Sequence, residues 1–116
     1  MLKQQKFSES ESPLREALEF GEKKKPDDWT TFDAKSLLGA SLFGQKKYDQ
    51  AEPLLVSGYE GMKQREAKIP PLETPHLLDA LDRLIELYDA TAKPDDAAKW
   101  REARDATNLH ASSPDR

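Results

Sequence analysis

Four carboxylates, Asp79, Asp82, Glu86 and Asp89, recur at intervals of three, four and three residues, which places them on one stripe of a helix. Such a stripe has two readings. It is a solvated face, or it is an acidic surface for a basic or amine-bearing segment. Other chemistry-bearing side chains are few. The histidines are His76 and His110, read as lying in a linker and a tail, and neither has an acid or nucleophile at a supporting spacing. Cysteine is absent, which excludes disulfides, thiolate metal sites and thiol nucleophiles together. The sequence carries no Gly-rich nucleotide loop, no V-A-I-K-like lysine and neither H-R-D nor D-F-G. Gly58 and Gly61 sit in a helical stripe, so they read as close packing and not as phosphate contact. No catalytic residue, metal or cofactor is expected, and the chain is not expected to be an enzyme.

Composition sets the setting for that stripe. A chain of 116 residues has the length of one domain. Only 36% of its residues are apolar and 34% are charged, so the core must be thin and the surface heavily solvated. The net charge of −4 argues against nucleic-acid binding, which needs a basic face to neutralise phosphates. The start, MLKQQKFSESES, lacks the apolar core of a signal peptide. No apolar run approaches the ~20 residues of a membrane span. The expectation is a cytoplasmic chain with no membrane partner. Lys23, Lys24 and Lys25 read as a solvated helix end, where cations meet the negative end of the dipole.

The elements follow from apolar spacing. Ala34, Leu37, Leu38 and Leu42 form one helical stripe, and Ala51, Leu54, Leu55, Gly58, Tyr59 and Met62 form the next. Gly44 between them reads as a C-cap in the left-handed conformation. Asp27 or Asp28 caps the first of the pair. Pro53 reads as a first-turn proline of the second, which runs on to the Pro70-Pro71 break. The spacing predicts helices over 30–43, 49–67, 75–91 and 95–106, preceded by a lone helix near 9–23 with Pro13 at its start. No segment alternates long enough to be a strand. The tail, 108–116, reads as disordered.

The helix pairs superpose on one another. Leu38, Leu42, Tyr48, Ala51 and Leu55 fall on Leu84, Tyr88, Pro94, Ala97 and Arg101 at a shift of 46 residues. A partial copy precedes them, since Lys6 to Glu11 matches Lys47 to Glu52 at a shift of 41. Leu38-Gly39 and Leu42, then Ala51 and Leu55, occupy the L-G, Y, A and F places of the tetratricopeptide repeat, with Lys35 at the Trp place. Leu81, Leu84, Tyr88 and Ala97 take corresponding places in the next unit, with Arg101 where the Phe stands. The chain therefore resembles that family over about residues 30–106. Its period is longer than the usual ~34. Arg101 at an apolar place points to a solvent-facing last helix. The period and the phrases KKYDQAEPLL and GYEGMKQREAK resemble the repeat arrays that follow the catalytic domain of large bacterial serine/threonine kinases.

The resemblance implies an all-α fold of antiparallel helix pairs stacked as a short α-solenoid. The units are then 1–28, a partial repeat that is mostly a second helix; 29–73, a repeat with an extended second helix and proline linker; and 74–107, a repeat with a capping helix. It also implies a non-catalytic scaffold whose leading helices line a peptide groove. That groove would present Asp33, Ser36, Ala40 and Phe43 from one unit and Asp79, Asp82, Glu86 and Asp89 from the next. The expected partner is a protein or peptide, basic if the stripe is a binding surface. The Lys and Asn with which the family clamps acidic tails are missing from these faces. The alternative function is a structural segment that forms a homo-oligomer, its first unit completed by a second copy of the chain.

Overall fold

The computed structural model describes the backbone of residues 2–112 and the side chains of residues 7–106. All regular structure among them is helical: α1 Leu2–Lys24, α2 Trp29–Gly44, α3 Tyr48–Gln64, α4 Pro75–Ala90 and α5 Pro94–Ser112. Two 3-10 turns, Glu66–Lys68 and Pro71–Glu73, join α3 to α4. Each helix packs on the next, and α2 also meets α4. The molecule measures 45 × 37 × 22 Å, so it is about two helix layers thick. The core runs through the layers as Leu38, Leu42, Ala51, Leu55, Met62, Leu77, Leu81, Leu84, Leu87 and Ala97, closed at one end by Trp100 edge-on to Tyr59. Gly39 is buried against Leu55 of the following helix. Tyr48 is half-buried and rests on Phe43, ring centroids 5.6 Å apart. No described helix is long and apolar enough to cross a membrane.

The element boundaries correct several expectations. The first helix begins at Leu2, not near residue 9, and Pro13 lies inside it. The carbonyl that Pro13 leaves without an intrahelical donor belongs to Glu9, which is exposed, so water can serve it. Pro53 is likewise interior, the sixth residue of α3, and exposed. The last helix continues to Ser112 instead of fading near Asn108, because neither Gly nor Pro interrupts the chain before Pro114. Residues 113–116 of the expected disordered tail lie outside the described residues. Helix α3 stops at Gln64, where Arg65 turns back. Its guanidinium donates to the Gly61 carbonyl at 3.0 Å and to the Asp27 carbonyl at 2.7 Å, and stacks over the Phe32 ring at 4.4 Å. Asp28 is the N-cap of α2, accepting from the Thr30 N–H at 2.9 Å.

The 46-residue shift reappears in the backbone. After α2, the Lys47 N–H donates to the Leu42 carbonyl and the Lys46 N–H to that of Phe43; after α4, Lys93 donates to Tyr88 and Ala92 to Asp89. Both are Schellman turns, each with one left-handed residue, Lys46 at φ 66° and Ala92 at φ 58°. Gly44 is therefore not the left-handed cap. It is the last residue of α2, and a Cβ there would collide with the Phe7 ring of α1. A side chain in the left-handed region costs about 1–2 kcal/mol, partly offset by the stiffer unfolded chain. Lys46→Gly should thus stabilise the fold by about 0.5–1 kcal/mol, read as a rise in the denaturant midpoint. An unchanged or lower midpoint contradicts it.

Candidate functional site

Each predicted groove residue is placed by the neighbour that its helix turns towards. Within α2, Ser36 is fully buried against α3, where its backbone N–H lies where a Cβ on Gly58 would go. Its hydroxyl accepts from Arg83 of α4 at 2.9 Å. Ser36 therefore offers no surface to a ligand. Phe43 is half-buried on Tyr48. Asp33 and Ala40, seven residues apart, share a strip about 60° round the helix from Ser36 and Phe43. Within α4, Asp82 and Asp89 face α5. Asp82 pairs with Arg104, and Asp89 with Arg101 at 2.6 Å. Residues 82 and 89 correspond to 36 and 43 at the 46-residue shift, and both pairs make contacts with later helices, although Asp89 stays exposed. The four-carboxylate stripe is thus split. Asp79 and Glu86 remain exposed and make no direct ion pair among the described residues.

A cluster that sequence spacing did not reveal joins α2 to the start of α4. His76 lies in the first turn of α4, with Nδ1 at 3.5 Å from Asp33 Oδ2 and Nε2 at 2.9 Å from Glu73 Oε1. The Trp29 ring tilts against the imidazole, centroids 5.6 Å apart. The expectation that His76 stands in a linker without acidic support is corrected: two carboxylates hold it. Glu73, three residues earlier, was a readable local signal. Asp33 had none, because it arrives through packing of α2 on α4.

Asp33 is the electrostatically costly member. Its side chain is 13% exposed. Its Oδ1 is buried with no hydrogen-bond donor among the described residues. Burial pushes its carboxyl above the usual range; the His76 and Arg83 charges oppose this, while Asp79 and Glu73 add to it. The cluster is poorly suited to acid–base work, since both His76 nitrogens already face carboxylates and the ring acts as a strut between helices. No group of three or more metal-ligating side chains has a metal-binding arrangement among the described residues.

Other polar contacts are structural. The Tyr88 hydroxyl donates to Glu52 at 2.8 Å and is pushed well up by burial and by that carboxylate. A cleft of about 490 Å³ at the α1–α2 corner sets Lys25 and Lys68 against Asp27 and Asp28, so its charge is balanced. His110 lies within α5, but its side chain is outside the described set. Comparison with protein-family models, with curated proteins and with solved structures gives no match.

Proposed function

We propose that this chain is a non-catalytic protein-interaction module of tetratricopeptide type that takes a basic, extended segment along the open side of α2 and α4. On this reading it is a relative or fragment of the repeat region of a bacterial serine/threonine kinase, as the sequence resemblance implies. One observation carries the ligand chemistry. On α4, His76 and Arg83 turn to α2 while Asp82 and Asp89 turn to α5. At 100° per residue, Asp79 and Glu86 fall between these two sets, on the open side. Both are exposed carboxylates without an ion-pair partner among the described residues, about one turn and three turns along α4 from His76, which meets Asp33 and Trp29 at the head of the groove. Like charges on one face repel, and a Lys or Arg from a partner relieves that. The repeated Schellman turns support the helix-pair reading.

The test is a titration with basic and acidic peptide pools at low and high salt. Basic peptides should bind more tightly, with affinity falling as salt screens the exposed pairs. Neutralising Asp79→Asn with Glu86→Gln should weaken binding about 3–10-fold, with stability level or slightly raised. Asp82 is the wrong residue to neutralise, because Arg104 already uses it. Equal binding of both pools, or no loss in the double variant, returns the stripe to a solvated face.

A further inference from the structure

Helix α1 has two strips with different fates. Phe7, Ser10, Glu11, Leu14, Leu18 and Gly21 turn to α2 and are buried or half-buried. Ser10 bonds Ser41 at 3.2 Å, and Glu11 accepts from Gln45 at 2.9 Å. The second strip, Pro13, Glu16, Ala17 and Phe20, is exposed, and Phe20 keeps 57% of its surface in water. At the 41-residue shift this strip falls on Leu54, Ser57, Gly58 and Gly61 of α3. The correspondence holds in the contacts, since Glu11 and its equivalent Glu52 both bond into the helix that follows. In α3 those positions carry α2: Ser57 accepts from Lys35, Gly58 lies on the backbone of Phe32 and Ser36, and Gly61 lies under the Phe32 ring. The exposed strip of α1 is therefore a helix-stacking face with no helix on it among the described residues.

The shape of the strip selects its occupant. Between α2 and α3 the knob is Phe32 and the hollow is Gly61. On α1 the hollow is filled by Phe20 itself, so a covering helix must offer a hollow instead of a knob. Ala17, one turn earlier on the same strip, is such a hollow. We propose that two copies of this chain pair antiparallel through α1, each Phe20 resting over the partner's Ala17 about a twofold axis. That register sets Glu16 and the partner's Lys23 on one flank, two residues from directly opposed and thus about 3 Å apart along the axis, within reach of two long side chains, and the twofold makes the pair twice. Both side chains are exposed and make no ion pair within the described monomer. A parallel pairing would set Phe20 on Phe20 and Lys23 on Lys23, which gives no hollow and adds repulsion. The proposal is independent of the peptide groove, which lies between α2 and α4.

Sedimentation of the intact chain tests it. One helix pair is a small interface, so a mass rising from 13.1 kDa towards twice that value is expected in the range of tens of micromolar. Phe20→Glu should raise the dissociation constant at least about tenfold, while the melting temperature of dilute protein stays level because Phe20 is exposed. Lys23→Glu alone should weaken pairing, and Glu16→Lys combined with Lys23→Glu should restore it. A chain that stays monomeric to about 500 µM, far above the affinity expected of such an interface, overturns the proposal and leaves the strip to a helix from a different protein. A dimer indifferent to Phe20→Glu and to the charge swap also overturns it, placing the contact elsewhere.

Discussion

Gly58→Ala is expected to lower stability by about 2–3 kcal/mol, although alanine is the better helix former by about 1 kcal/mol. A Cβ at this position would stand 2.7 Å from the Ser36 nitrogen and 2.8 Å from the Phe32 carbonyl oxygen. Both are backbone atoms of α2, and neither can swing aside. The methyl group can be admitted only by moving α2 away from α3, and that seam is the most extensive in the molecule. Gly39→Ala makes an informative partner. There the obstruction is chiefly the Leu55 side chain, at 2.7 Å, which can rotate. Its cost should be smaller, about 1 kcal/mol, whereas Gly39→Leu overpacks the same seam by about 1–3 kcal/mol. Denaturant unfolding of the three variants checks the order, and a fall in melting temperature of about 5–15 °C is expected for Gly58→Ala. A neutral or stabilising Gly58→Ala contradicts the close approach of α2 and α3.

Asp33→Asn is expected to stabilise the fold at neutral pH by about 1–2 kcal/mol, because it removes a buried charge whose Oδ1 has no donor. The pH dependence follows from the direction of the shift. The folded carboxyl lies above its ordinary value of 3.8. Between these two values the folded chain holds a proton that the unfolded chain has released, so this group's contribution falls as pH rises through the window. Above the window the penalty is fully present, and below 3.8 it vanishes because both states are protonated. The advantage of Asp33→Asn should therefore be largest near neutrality and shrink as pH falls to about 4. The difference between variant and parent is the quantity to follow. Glu11 and Asp28 titrate the other way: hydrogen bonds from Gln45 and Arg15, and from Thr30, hold their carboxyls low, so both forms lose stability in acid. An advantage that is constant with pH, or a loss at pH 7, contradicts the account of Asp33.

A buried carboxylate that weakens the fold stands against local consistency, and such departures tend to gather where a surface has work to do. Asp33 sits at the head of the open α2–α4 side, beside Trp29 and His76. On the proposed groove reading, neutralising it should reduce attraction for a basic peptide while raising stability.

The sequence by itself determined the helices and the faces that they bury. Apolar residues at helical spacing located three of the five helices closely, missing the start of α1 and the end of α5, and Leu38, Leu42, Ala51, Leu55, Leu81, Leu84 and Ala97 are buried as that spacing implies. The 46-residue shift, read from side chains, reappears in the hydrogen bonds of two turns. These features are local or periodic, and periodicity is written along the chain. Tertiary packing decided the rest. Gly44 is small because Phe7 crosses it, and the left-handed residue moved two places on to Lys46. The acidic stripe was one surface in the sequence and became two, because Arg101 and Arg104 reach back from α5 to claim alternate members. Asp33 and His76 meet although 43 residues separate them. No helical period encodes which neighbour a side chain will face, since that depends on where the other helices come to rest.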